Sequence, residues 1–150
     1  MGLDMYAYRM RQADASANAK KQGFCGNAEN LLKIVTWTEG IFGGQCVNTD
    51  GKLTQIHYWR KHHDLHGLMQ ETAEHYGYEG EFNCDFLLLT EEDLDRIEAR
   101  IKDNSMPETT GFFFGHYPPD EETQEDDLQF ITAAREAIKE GDLVYYSSWW

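Results

Sequence analysis

Ile56-His57-Tyr58-Trp59-Arg60-Lys61-His62-His63-Asp64-Leu65-His66-Gly67-Leu68-Met69 holds four of the six histidines of this 150-residue chain, two bulky aromatics and a basic cluster. At about 100° per residue, Tyr58, His62, Leu65, His66, Met69, Ala73 and Tyr76 share one helical face, with Trp59 at its margin. Arg60, Lys61, Asp64, Glu71 and His75 fall opposite. The spacing predicts a helix from about Tyr58 to a stop at Gly77. Just upstream, Asp50-Gly51 lies between Gln45–Thr49 and Lys52–Ile56. That pattern predicts a hairpin with a tight primed turn, because Gly and Asn/Asp tolerate its positive φ angles.

Outward from this stretch, Leu3, Met5 and Ala7 alternate with Asp4, Tyr6 and Tyr8, the period of a strand inside a sheet. Residues 12–30 are rich in Ala, Asn, Gly, Gln and Lys and read as a mobile excursion or short surface helix. Leu31 to Trp37 is apolar and β-branched at Ile34, Val35 and Thr36, which tilts it toward strand.

Phe86-Leu87-Leu88-Leu89 reads as a buried strand. Thr90 then caps a helix whose first turn is Glu91, Glu92 and Asp93 and whose inward stripe is Leu94, Ile97 and Ile101. Met106-Pro107 ends it, and Gly111-Phe112-Phe113-Phe114-Gly115 is apolar enough for a short strand. Pro118-Pro119 opens an acidic linker, read as mobile over 117–124. A last helix from about Thr123 to Glu140 buries Leu128, Ile131, Ala134 and Ile138. Asp142–Trp150 closes the chain as a strand in the sheet beside the first, since burying each of its rings is worth roughly 2–3 kcal/mol. The order of elements predicts a single α+β domain over residues 1–150, with a mixed or antiparallel sheet and about three helices.

Charge divides the chain. Residues 1–63 hold eight Lys/Arg and five Asp/Glu, while residues 64–150 hold five and twenty-two, within a net charge of −14. The acidic half should repel nucleic acid and anionic membrane and attract basic protein surfaces. No run of about 18 apolar residues exists to span a bilayer. The start lacks the basic and apolar regions of a secretory signal. Cys25, Cys46 and Cys84 form no Cys-x-x-Cys pair and read as small buried thiols of a cytoplasmic protein.

Three pieces resemble a group of small phage and prophage proteins of unknown function. They are the opening Met1–Tyr6, the Tyr58-Trp59-Arg60-Lys61…His66 stretch, and Thr110-Gly111-Phe112-Phe113-Phe114-Gly115 with a Tyr/Ser/Trp-rich terminus. Some members carry a phosphoglycerate-kinase label. This chain is too short for a two-domain kinase and has no Gly-rich phosphate loop. In the group, Tyr-Trp-Arg-Lys is followed by small residues and then His. His66 fits that pattern, while His62 and His63 depart from it.

His62 and His66 stand at i and i+4, the spacing that lets two imidazoles reach one Zn²⁺. The Glu of His-Glu-x-x-His is missing, and a third ligand would come from Cys84, Asp85, His116 or Glu74. A small metal-dependent hydrolase or nuclease is therefore one alternative, and a structural or assembly protein held by aromatic surfaces is another. No Gly-x-Ser-x-Gly elbow supports nucleophilic catalysis. The charge layout favours a binding protein over an enzyme, with no cofactor. Helices bearing rows of carboxylates imitate a phosphate track to a protein that binds DNA or RNA. The expected contacts are Glu91, Glu92, Asp93, Asp95, Asp120, Glu121, Glu125, Asp126 and Asp127. The expected partner is the basic surface of a host protein, a nucleic-acid enzyme of host defence of the kind that anti-CRISPR and anti-restriction proteins block.

Overall fold

The computed structural model describes residues 2–109 and 119–150. The strand expected over 111–115 lies outside them. Strand β1 (Asp4–Met10) is followed by β2 (Cys25–Gly26), the single-turn helix α1 (Ala28–Leu31), β3 (Trp37–Glu39) and β4 (Gln45–Val47). Then come β5 (Leu53–Arg60), α2 (His63–His75), β6 (Phe86–Leu89), α3 (Glu91–Lys102), α4 (Glu121–Lys139) and β7 (Leu143–Trp149). Five strands form an antiparallel sheet in the order β2-β6-β7-β1-β5, and β3 pairs with β4 in a separate small sheet. The fold is α+β. No helix among the described residues is long and apolar enough to cross a membrane.

The two ends of the chain meet in the centre of the sheet. β1 pairs with β7 along its whole length, from Asp4 opposite Trp149 to Met10 opposite Leu143. The period-two alternation of β1 then sorts its side chains. Leu3, Met5 and Ala7 enter a core built with Leu65, Met69, Leu94, Ile97, Phe130 and Ile131 from the three long helices. The opposite sheet face meets a second cluster, in which Met10, Leu88 and Tyr145 pack with Ala15, Ala19, Leu31 and Leu32. Residues 12–30, expected as a mobile excursion or a surface helix, form two 3-10 turns, β2 and most of α1, and bury Ala19 in that second cluster.

The opening stretch is divided between two elements. Tyr58, Trp59 and Arg60 continue β5, and α2 begins only at His63. The helical wheel placed Tyr58 beside His62, but pairing of Tyr6 with Tyr58 and Asp4 with Arg60 holds these residues extended. Lys61, at φ 59°, ends the strand. From His63 onward the wheel holds, except that Asp64 is buried and accepts a hydrogen bond from the Thr109 backbone N–H.

Asp50-Gly51 does turn the chain, with Gly51 at φ 75° and Lys52 N donating to Thr49 O. The flanking strands do not pair with each other. β5 gains a seven-residue partner in β1, and β4 takes the shorter β3. The acidic linker expected over 117–124 is, from Glu121 on, the first turn of α4, capped by Asp120. Carboxylates there complement the positive end of the helix dipole. The buried face of α4 also differs: Asp127, Phe130, Ile131, Ala134 and Ala137 are buried, while Leu128 and Ile138 are half-buried. The cysteines are not all buried, since Cys46 and Cys84 are exposed.

Two glycines with positive φ separate backbone strain from packing. Gly51 has open space where a Cβ would stand, whereas a Cβ on Gly23 (φ 86°) would lie 2.8 Å from the Tyr76 side chain. Gly51→Ala should cost about 1–2 kcal/mol from φ alone. Gly23→Ala should cost about 2–4 kcal/mol, because overpacking adds to the strain. Urea denaturation of the two variants checks the order.

Candidate functional site

The end of β5 meets α4 through one carboxylate. Asp127 is fully buried: its Oδ1 accepts from Trp59 Nε1 at 3.0 Å, and its Oδ2 lies 2.8 Å from His62 Nε2. The Trp59 ring also stands edge-on to Phe130, 4.8 Å between centroids. A second pair runs alongside, with His57 Nε2 3.0 Å from Asp126 Oδ2 and the His57 ring 4.5 Å from that of Trp59. Alternation along β5 places His57 and Trp59 on the helix side of the sheet, and consecutive positions on α4 deliver the two aspartates.

His66 belongs to a different network. Its Nδ1 lies 2.7 Å from the Tyr146 hydroxyl, and its ring stacks on Phe82 at 5.3 Å and 16°. Burial, with a smaller push from His63, lowers its pKa to about 4, so the ring is neutral at pH 7. Burial also holds Tyr146 well above the ordinary tyrosine value.

His62 and His66 therefore turn to separate partners, Asp127 and Tyr146. Among the described residues, no three His, Cys, Asp or Glu side chains stand together where they could hold a metal. Of the expected third ligands, Asp85 accepts from Tyr78 and Glu74 from Gln70, Cys84 is exposed, and His116 lies outside the described residues. Thiol chemistry has little support either. Burial, with Asp85 nearby, pushes the Cys25 thiol up to about 12, and Cys84 shifts upward for the same reasons. Both favour the protonated, weakly nucleophilic form.

The nine carboxylates expected to meet a partner do not form one surface. Asp93 is buried in a capping box with Thr90, and it accepts from Tyr76 and Arg96 as well. Asp127 is buried as described. Neither can reach a partner, because every oxygen is committed inside the fold. Glu91, Glu92 and Asp95 are exposed, although Asp95 pairs with Arg135 at 2.8 Å and Glu92 accepts from Gln22. Asp120, Glu121 and Glu125 are exposed at the start of α4, and Asp126 is half-buried beside His57.

Helices α3 and α4 run antiparallel. Gln124 Nε2 donates to Ile101 O at one end, while Arg135 pairs with Asp95 and Glu98 nearer the other. At 1.5 Å per residue the two acidic clusters stand about 15 Å apart along the helix pair. The α4 cluster lines an open cleft of about 650 Å³ between Tyr58–His62 and α4. Asp120, Glu122, Glu125 and Asp126 form one wall, facing Arg60 and Lys61 across Tyr58 and Trp59.

No protein-family model matches this sequence, and no curated protein or solved structure matches it either. The opening residues, the Tyr58-Trp59-Arg60 segment and the terminus lie on three adjacent strands, with Asp4 opposite both Arg60 and Trp149.

Sequence reasoning missed the Trp59–Asp127–His62 network, although a signal was present. Asp127, Phe130, Ile131, Ala134 and Ala137 follow helical three-and-four spacing, so Asp127 stands in line with an apolar stripe. A carboxylate there requires a buried partner.

Asp127→Ala should cost about 3–5 kcal/mol, since it leaves an indole N–H and an imidazole without their buried acceptor. Trp59→Phe keeps an aromatic ring but loses the fused pyrrole and its N–H, and should cost about 2–3 kcal/mol in the same denaturation assay, because it opens space in the core and leaves Asp127 Oδ1 without its donor. The His66 shift has a definite sign. The unfolded chain takes up a proton near the ordinary histidine pKa, while the folded chain resists to about 4, so stability falls as pH drops through that window. Between pH 7 and pH 5 the loss from this group should be about 2 kcal/mol. His66→Gln should remove that share of the pH dependence.

Proposed function

We propose that this protein acts by binding a basic surface of another protein, using the carboxylates at the start of α4, in and beside the wall of the cleft. The observation that carries the reading is the imbalance around that cleft: four carboxylate side chains face two basic ones. Glu121, Glu122 and Glu125 make no ion pair among the described residues. By contrast, four of the five Lys/Arg residues of the helix pair, Arg96, Arg100, Lys102 and Arg135, are each within ion-pair distance of a carboxylate. The surplus charge is thus negative and outward, an arrangement that attracts Lys/Arg-rich surfaces and suppresses direct contact with nucleic acid. Engagement of His62 and His66 with separate partners favours this reading over a metal-dependent hydrolase.

The class of target we infer is a nucleic-acid-binding enzyme of host defence in the cytoplasm, whose basic groove would accept a helix-borne row of carboxylates in place of phosphates. The phage-type resemblance of the sequence supports the same class.

The test is a pull-down from bacterial lysate at low and high salt, followed by titration of the recovered protein. Glu121→Gln/Glu122→Gln/Glu125→Gln should lower low-salt affinity at least tenfold, about 1.4 kcal/mol, with the fold unchanged. Duplex DNA or RNA should compete for the same target. Glu91→Gln/Glu92→Gln, at the far end of the helix pair, should have the smaller effect. Unchanged low-salt affinity of the α4 triple variant would remove the proposal.

A further inference from the structure

Three of the four most exposed large apolar side chains, Ile41, Phe42 and Ile34, lie on the β3–β4 hairpin and its lead-in, and the fourth is Trp149 in β7. Ile41 and Phe42 at the tip are 97% and 96% exposed, Ile34 is 68% and Trp37 is 51%. Trp37, Thr38 and Glu39 of β3 and Gln45 and Cys46 of β4 are all exposed, so this two-stranded sheet is covered only at Val47. Only three residue pairs hold it together. A lone hairpin of this kind is marginal in water and gains independent stability only when a further surface packs on it. An exposed apolar patch on this scale marks an interaction surface.

We propose that the hairpin is a homodimer interface, in which β3–β4 of two copies meet across a twofold axis. Charge argues for a second copy. Residues 34–47 contain one charged side chain, Glu39, and no Lys or Arg. The tip therefore offers nothing to an anionic membrane, which would also repel a chain of net charge −14. A neutral apolar patch is best matched by another like it, as a self-complementary twofold contact requires.

The fold also keeps self-repulsion low. Val35 and Val47 at the base of the hairpin pack on the cluster around Met10, Leu31 and Tyr145, whereas α3 and α4 pack on the opposite face of the main sheet. The acidic helices of both copies thus face away from the contact. Size is adequate as well. Ile34, Trp37, Ile41 and Phe42 expose on the order of 600 Å², near the roughly 800 Å² that each partner contributes to a standard interface. Both β3 and β4 keep a free edge, so a four-stranded sheet can form between copies.

The experiment is sedimentation velocity of the full chain with reductant present, because Cys46 is exposed in β4. At about 50 μM, well above a micromolar dissociation constant, the wild type should sediment at twice the mass of the chain. Ile41→Ser/Phe42→Ser should sediment as a monomer with the circular-dichroism spectrum of the folded chain, since these side chains are almost wholly exposed within one copy. A wild type that stays monomeric, or a double variant that stays dimeric, overturns the proposal. Flotation of a monomeric wild type with phosphatidylcholine vesicles, lost in the double variant, also overturns it by assigning the tip to lipid.

Discussion

Pairing of Asp4–Met10 with Leu143–Trp149 puts the two ends of the chain side by side in the middle of the sheet. Every other element is placed by that constraint. β5 and β6 take the outer edges of the central pair, and the long helices must cover the face that carries Met5, Ala7, Val144 and Tyr146. A pairing between residues nearly the full chain length apart carries a high loop-closure cost. Burial of Tyr145 and Tyr146, both fully inside, offsets it.

The helices are registered on the sheet and on one another by polar contacts as well as apolar ones. Trp59 and His62 fix α4 through Asp127, Tyr76 fixes α3 through Asp93, and Tyr146 fixes α2 through His66. Among the described residues, no buried side-chain nitrogen or oxygen lacks a hydrogen-bond partner. In a low-dielectric interior such contacts are directional, so they specify one arrangement of helices that apolar packing alone would leave less defined. The acidic character of the chain therefore has two parts. Some carboxylates are structural anchors, and the remainder form the outward charge.

The two surfaces argued to be functional are separated by the sheet. The cleft beside α4 belongs to the helix side, while the apolar hairpin projects from the side that covers Met10 and Tyr145. A protein built this way can present its negative wall to a partner while its neutral face is occupied. The two proposals make independent demands on the molecule.

Much of the fold was legible because it depends on local periodicity. Alternation at Leu3, Met5 and Ala7, the capped start at Thr90, the stripe Leu94, Ile97 and Ile101, and the aromatic terminus each report which side faces inward. The site was less legible. Whether Tyr58 continues a strand or begins a helix depends on a partner strand some fifty residues away, and local spacing carries no record of that partner. Asp93 and Asp127 look like their exposed neighbours until Tyr76 and Trp59 arrive to bind them. The sequence by itself determined the α+β class, the charge asymmetry and the helix caps, because these follow from neighbouring residues. Only the tertiary structure decided which carboxylates are anchors, that His62 and His66 diverge, and that Asp50-Gly51 separates two sheets, because long-range pairing and burial outweigh local preference.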